Sequence, residues 1–286
     1  MISLTLGGRA FSDPATAGCA IESLSGWFDG TAVRSDAPKR PAAHGSFPVP
    51  VWREGRVVQA GLAWTVTSPA EAGGAQDWFT GVLADGGFDE IRVTDPAGRT
   101  TSASVQLGSQ PLVRWMPQSD VVRAQLELFA PDPLRYADAV SLDTGFAAPG
   151  GGLAFPLFTD GTSDVGYLDF GAPGSTGRVS LPVQPGTAPG QTQFVVEGPT
   201  PAFSIVHVES GRRIQFAQSV PAGASLVIDP AAGSALLNGG DVDYSGLLTR
   251  WEWAPVRNGE GATFAFLPDG PVAAGSLTVT HRAAWW

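Results

Sequence analysis

Glycine and proline are scattered along this 286-residue chain from end to end, 37 of the first and 24 of the second, and this restricts the fold more than any motif. Proline removes a backbone donor and clashes inside a helix, while glycine is costly there, so long helices would be broken repeatedly. Short strands joined by tight turns tolerate the same usage. A hydrophobic content of 43% excludes disorder. The length admits one large domain or two ordinary ones, and the expectation is an all-β protein with one short helix.

Strand candidates in the first half are Ile2 to Leu6, Arg56 to Thr67, Ile91 to Thr94, Thr101 to Leu107, Leu112 to Trp115 and Val121 to Phe129. Most alternate with period two. In the last, Val122, Ala124, Leu126 and Leu128 make one face apolar, as for a strand packed on one side. DPAG at 95 to 98 has proline at the second turn position and glycine closing, so IRVTDPAGRTTSASVQL reads as a hairpin. One segment departs from the β pattern. Ser68 with Glu71 forms a capping box, Pro69 suits the first helical position, and Trp78, Phe79, Val82 and Leu83 fall at helical spacing. The prediction is a helix near 69–85, stopped by Gly86 and Gly87 and dependent on packing because Gly73, Gly74 and Gly81 weaken it.

Prolines 131 and 133 in FAPDPLRYADAV end the preceding strand, which sets the expected domains at 1–137 and 138–286. A Gly-rich connector, AAPGGGLAFP, follows Phe146. Beyond it, strands recur at roughly ten-residue spacing, the mark of a β-sandwich or jelly roll. They are Arg178 to Val183, Thr192 to Val196, Phe203 to Val208, Arg212 to Phe216, Ser225 to Asp229, Thr249 to Ala254, Thr263 to Leu267 and Ser276 to Arg282.

The formal charge of −10 argues against a tightly held nucleic acid, which needs clustered Lys and Arg, yet suits a channel through which DNA must slide. The single Cys19 permits no internal disulfide. The N-terminus lacks the basic start and apolar run of a signal peptide, and no apolar run approaches the ~20 residues of a membrane helix. The reading is a soluble, cytoplasmically made protein with no membrane insertion.

Chemistry-bearing residues are sparse. Of the three histidines, His44 sits in RPAAHGSF with Asp36 or Glu54 as conceivable orienting partners, but no nucleophile motif accompanies it, so it reads as a post that pins a loop. His207 and His281 fall in strand patterns and are assigned surface or rim positions. Asp229, Asp241, Asp243 and Asp269 occur at turns, where Asp is favoured for local reasons; a glycosidase would need two carboxyls facing across a cleft. DVD at 241–243 offers oxygen ligands without the EF-hand spacing. Phosphate-loop, serine-hydrolase, zincin and CxxC motifs are absent, so no catalytic residue, cofactor or metal is assigned. Among nine tryptophans, Trp251 and Trp253 share one face of a predicted strand and read as core. Trp285 and Trp286 close the chain and are expected to be docked, on their own domain or on a neighbour.

Several segments, taken in order, resemble one family. They are GWFDG (26–30), RSDAPKRPAAHGSF (34–47), VLADGGF (82–88), FAPDPLRYAD (129–138), EGPTPAFSI (197–205), SGRRIQF (210–216), AGASLVIDPAAGSALLNGGDVD (222–243) and TVTHRAAWW (278–286). The chain is similar to the distal tail proteins, or minor tail proteins, of bacteriophages with long non-contractile tails. The resemblance implies a virion structural protein of the tail tip, assembled in the host cytoplasm. Its N-terminal β-barrel-like domain would form a hexameric ring, and its C-terminal domain would be a galectin-like β-sandwich. It further implies contacts with the tail tube protein, the tail-associated hub protein of the baseplate, the tape-measure protein and receptor-binding or side-fibre proteins, with DNA passing only transiently through the lumen. The 34–56 loop is then expected to be a main intersubunit or tube-facing element, in which the charges Arg34, Asp36, Lys39, Arg40, Arg53, Glu54 and Arg56 fix register between neighbours, His44 shapes the loop, and Trp285 and Trp286 dock. The alternative is a carbohydrate-binding β-sandwich protein recognising a bacterial surface polysaccharide, although no HxNPR-like sugar motif is present.

Overall fold

The computed structural model describes residues 1–13, 15, 18–148, 174–240, 242–270 and 274–286, which group into two compact units. Asp241 and the connector from residue 149 onward lie outside the described residues.

The first unit comprises Met1–Asp138 with Trp285–Trp286. Its strands are β1 (Ile2–Leu6), β2 (Arg9–Asp13), β3 (Cys19–Ser25), β4 (Val33–Arg34), β5 (Trp52–Arg53), β6 (Arg56–Thr65), β7 (Asp89–Thr94), β8 (Thr100–Leu107), β9 (Leu112–Met116), β10 (Val121–Ala130) and β11 (Arg135–Tyr136). Seven of them, in the order β8-β7-β1-β2-β3-β6-β10, close into a barrel when β10 returns to β8 through Leu128↔Leu107 and Phe129↔Gln106. Closure removes the sheet edges that an open sheet must protect. β9 lies beside the other half of β10, from Val121↔Met116 to Gln125↔Leu112.

The alternation of β10 sets its faces: Val122, Ala124, Leu126 and Leu128 are all buried. They join Leu4, Phe11, Leu62, Ile91 and Val105 in one core. β7 and β8 form the DPAG hairpin, in which Asp95 Oδ1 accepts from the amides of Ala97 and Arg99 at 2.9 Å. These bonds, Arg99 among them, hold the Asp95 carboxyl below the usual carboxylate range.

The helix α1 runs Pro69–Gly81. Ser68 Oγ accepts from the Glu71 amide at 3.2 Å, and the Glu71 carboxylate accepts from the backbone and hydroxyl of Thr67, both at 2.8 Å. The reciprocal cap thus closes one residue earlier than the capping-box pattern, on Thr67. Ala72, Ala75 and Phe79 are buried, and the Phe79 ring lies within 6.3 Å of Trp64 and 6.1 Å of Phe11. The glycines at 73, 74 and 81 leave the helix dependent on this packing. It ends four residues before the expected point, because Leu83 takes a left-handed φ of 57° ahead of Gly86.

The second unit comprises Ala139–Ala284. Its strands are β12 (Val140–Gly145), β13 (Arg178–Leu181), β14 (Ala188–Glu197), β15 (Ala202–His207), β16 (Arg213–Phe216), β17 (Ser225–Asp229), β18 (Ser234–Leu237), β19 (Val242–Asp243), β20 (Leu248–Trp251), β21 (Ala262–Asp269) and β22 (Ser276–Trp285), the last residue of which belongs to the first unit. One antiparallel sheet runs β12-β22-β14-β17-β18-β19 and the other β13-β21-β15-β16-β20. Phe194, Ile228 and Val279 from the first pack with Phe203, Phe216 and Phe266 from the second, which makes a two-sheet sandwich. The all-β expectation with one short α-helix holds across the described residues.

Two local features of the second unit differ from the sequence expectation. His281 is 1% exposed, not a rim residue. It follows Leu277 and Val279 at period two on the core face of β22, and its Nδ1 meets Thr192 Oγ1 at 2.9 Å. Strand β20 stops at Trp251, so Trp253 lies beyond it; both rings still pack on the sandwich core, Trp253 edge-on to Phe194.

Candidate interface arm

Between β3 and β6 the chain leaves the barrel and returns as a long arm, residues 30–54. Its root is built from GWFDG. Gly26 adopts φ +78°, where a Cβ would collide with the Val57 carbonyl, so only glycine serves there. Trp27 is then fully buried. On the returning side, a Cβ at Gly55 would stand 2.6 Å from the Phe129 ring, a second close approach.

Arg56 locks these two sides together. Its Nη1 donates to the carbonyls of Gly26 (2.6 Å), Trp27 (3.0 Å) and Asp29 (2.9 Å), and its Nη2 and Nε donate to the Pro133 carbonyl at 3.0 and 3.2 Å. The side chain is 1% exposed. Burial lowers the pKa of its guanidinium, an effect that the nearby Asp29 opposes. Sequence reading placed Arg56 among the register-setting surface charges. The structure turns it inward, because the planar guanidinium carries five donors and the arm root presents four carbonyls that need them.

Above the root the arm is exposed. β4 and β5 pair through Val33↔Arg53 and Arg34↔Trp52, and the tip closes by the Lys39↔Ser46 bridge with Arg40 N donating to Gly45 O at 3.1 Å. Arg34, Asp36, Lys39, Arg40, His44, Arg53 and Glu54 all lie on the surface of this ribbon. His44 sits in the tip turn and makes no hydrogen bond to a described residue, so the structure gives it no orienting carboxylate. An open groove of about 640 Å³ separates arm from barrel, lined by Arg34, Arg53, Glu54 and Phe129. The ribbon also exposes apolar groups: Trp52 is 65% exposed, and Val33 and Val51 are 57% exposed.

Trp285 and Trp286 are docked on the first unit. The Arg53 guanidinium lies 5.0 Å over the Trp286 ring and Arg99 lies 5.1 Å over Trp285. Arg135 Nη2 donates to the Trp286 carbonyl at 2.9 Å. Arg135 is itself buried, and burial, with Arg56 adding to the effect, pushes its pKa down to about 10.

Elsewhere the polar groups serve local structure. Asp229 Oδ1 caps its own turn through the amides of Ala231 and Ala232, and Asp243 Oδ1 accepts from the Ser245 amide. His207 bonds Ser210 Oγ at 2.7 Å. Among the described residues, no three His, Cys, Asp or Glu side chains come together as metal ligands. The cleft beside Trp253 holds only about 10 Å³, too small for a sugar ring. The arm root was the feature that sequence reasoning missed. The signal for it was the close spacing of Gly26, Trp27 and Asp29 in one motif.

No protein-family model matches the chain, and no curated protein matches its sequence. Solved structures do. The crystal structure of the Dit (gp 19.1) protein of phage SPP1, described as a paradigm of hub adsorption apparatus in Gram-positive infecting phages, aligns over 100% of both chains with a TM-score of 0.60 and 8% identity. Chains of the phage P2 baseplate in its activated conformation align at 8% identity. The calcium structure covers 98% of each chain at a TM-score of 0.48, and the strontium structure covers 98% of this chain and 97% of that one at 0.46. The SPP1 likeness establishes a common fold along the whole length.

Proposed function

We propose that this chain is a structural, non-enzymatic hub protein of the tail tip of a long non-contractile-tailed bacteriophage. Six copies form a ring that joins the tail tube to the tail-associated and receptor-binding proteins. The observation that carries this reading is the full-length likeness in fold to the SPP1 hub protein. Two features support it. The exposed arm carries charged and apolar side chains that its own barrel leaves uncovered, as an assembling surface does. A net charge of −10 suits a lumen along which tape-measure protein and DNA slide without being trapped.

Affinity in such an assembly comes from one contact repeated around a closed ring. Arg34, Lys39, Arg40, Arg53, Asp36 and Glu54 set the register of that contact, while Arg56 acts from below by holding the arm root. Native mass spectrometry with negative-stain imaging tests the proposal. A closed six-membered ring is the expected species; monomers at every concentration, with or without tail tube protein, would overturn it.

A further inference from the structure

Strand order fixes what lies opposite the arm. The arm emerges between β3 and β6. From β6 the barrel continues through β10 and β8 to β7, and from β3 through β2 and β1 to the same β7. β7 is therefore three strands from either root of the arm, on the far wall of the barrel.

The chain reaches that wall through Asp85, Gly86, Gly87, Phe88, Asp89 and Glu90. From Ser68 to Glu90 there are five carboxylates and no Lys or Arg. Asp77, Asp85 and Glu90 are exposed, and Phe88 is 58% exposed beside them. Asp85 and Asp89 accept backbone bonds from Gly87 and Gly7, which hold the carboxylates in place without neutralising them. The nearest basic residue in sequence is Arg92, which is engaged by Glu90 and Asp138. The arm has the opposite character. Residues 31–54 hold Arg34, Lys39, Arg40 and Arg53 against Asp36 and Glu54, an excess of two positive charges on a chain of net charge −10.

We infer that the acidic corner 85–90 receives the basic arm of a second copy of this chain, with Phe88 meeting the exposed Trp52 and Val51. This inference rests on the self-assembling hub reading. Unlike patches on opposite walls make a heterologous contact, which adds one copy after another until the rotation closes. Opposite charge steers the approach and fixes register, and the apolar side chains supply buried area. The arm cannot satisfy its own corner, because Arg56 pins its root to the other side of the barrel.

Charge reversal tests the pairing. One variant carries Arg34→Glu with Lys39→Glu, the other Asp85→Lys with Glu90→Lys, and circular dichroism establishes that each is folded. Each alone is expected to need at least ~10-fold more protein to assemble, since like charges then face each other. A 1:1 mixture is expected to assemble again with equal copies of each, because arm and corner become complementary in alternation. If either variant assembles alone as the unaltered protein does, or the folded pair fails to assemble when mixed, the arm-to-corner contact is wrong while the ring reading stands. If the unaltered protein is monomeric throughout, both fall. A second measurement needs no substitution. Lys39 is the only lysine of the chain, so carbodiimide coupling of mixed ¹⁴N and ¹⁵N protein should join Lys39 to Asp85, Asp89 or Glu90 across copies. Intermolecular coupling of Lys39 only to other carboxylates would overturn the inference.

Discussion

Replacing Arg56 by methionine keeps most of the side-chain volume and removes every donor. The carbonyls of Gly26, Trp27, Asp29 and Pro133 then lose a charge-assisted partner at 2.6 to 3.2 Å inside a site that is 1% exposed. Hydrogen bonds to a charged group contribute about 1.5–3 kcal/mol each, but burial of the guanidinium costs free energy that the variant recovers. The balance for breaking a buried charged cluster is about 3–5 kcal/mol. Against a typical domain stability of about 5–15 kcal/mol, that is a large fraction. Urea denaturation followed by tryptophan fluorescence would show it as a lowered midpoint at unchanged slope. Arg34→Met on the exposed ribbon is the control and should stay within about 0.5 kcal/mol. A loss below about 1 kcal/mol for Arg56→Met would refute the reasoning, since it would mean that water replaces the guanidinium and the root is not held by it. Arg56→Lys should recover little, because an ammonium has three donors and no planar fork.

Two further outcomes follow from the same structure. Gly26→Ala forces a Cβ toward the Val57 carbonyl at φ +78°, and backbone strain alone should cost about 1–3 kcal/mol in the same assay. Burial keeps the His281 imidazole below its ordinary pKa, so the unfolded chain takes up its proton first as pH falls. Stability from this group is complete above about pH 6.5 and is lost as pH falls from there toward the lower folded value, by at most about 1.4 kcal/mol per pH unit. Thermal melts of His281→Gln should lack that slope below about pH 6.5; an unchanged slope would assign it to other groups.

Features that depend on neighbours in sequence were readable there. The DPAG hairpin needs only a proline, a glycine and one carboxylate within five residues, and all its bonds are local. The helix start needs only Thr67 to Glu71. The alternation of β10 and its burial agree residue by residue. Even the burial of His281 was available, since it continues the period of Leu277 and Val279; its polarity concealed it. β2 and β3 escaped notice for a different reason. RAFSD and CAIESLS lack clean alternation, and they are strands because the barrel offers them partners at Phe11↔Leu4 and Ala20↔Ala63.

By itself, then, the sequence determined the all-β class, the hairpin and where the helix begins, because backbone propensity and turn chemistry act over a few residues. Tertiary structure alone decided that the sheet closes, that the arm and the acidic corner stand on opposite walls, and which arginine of the 34–56 loop is a surface charge. Arg34 and Arg56 have the same side chain. Arg56 alone turns inward, because Gly26, Trp27, Asp29 and distant Pro133 converge on it with unpaired carbonyls, and a buried guanidinium is stable only where the fold brings acceptors together.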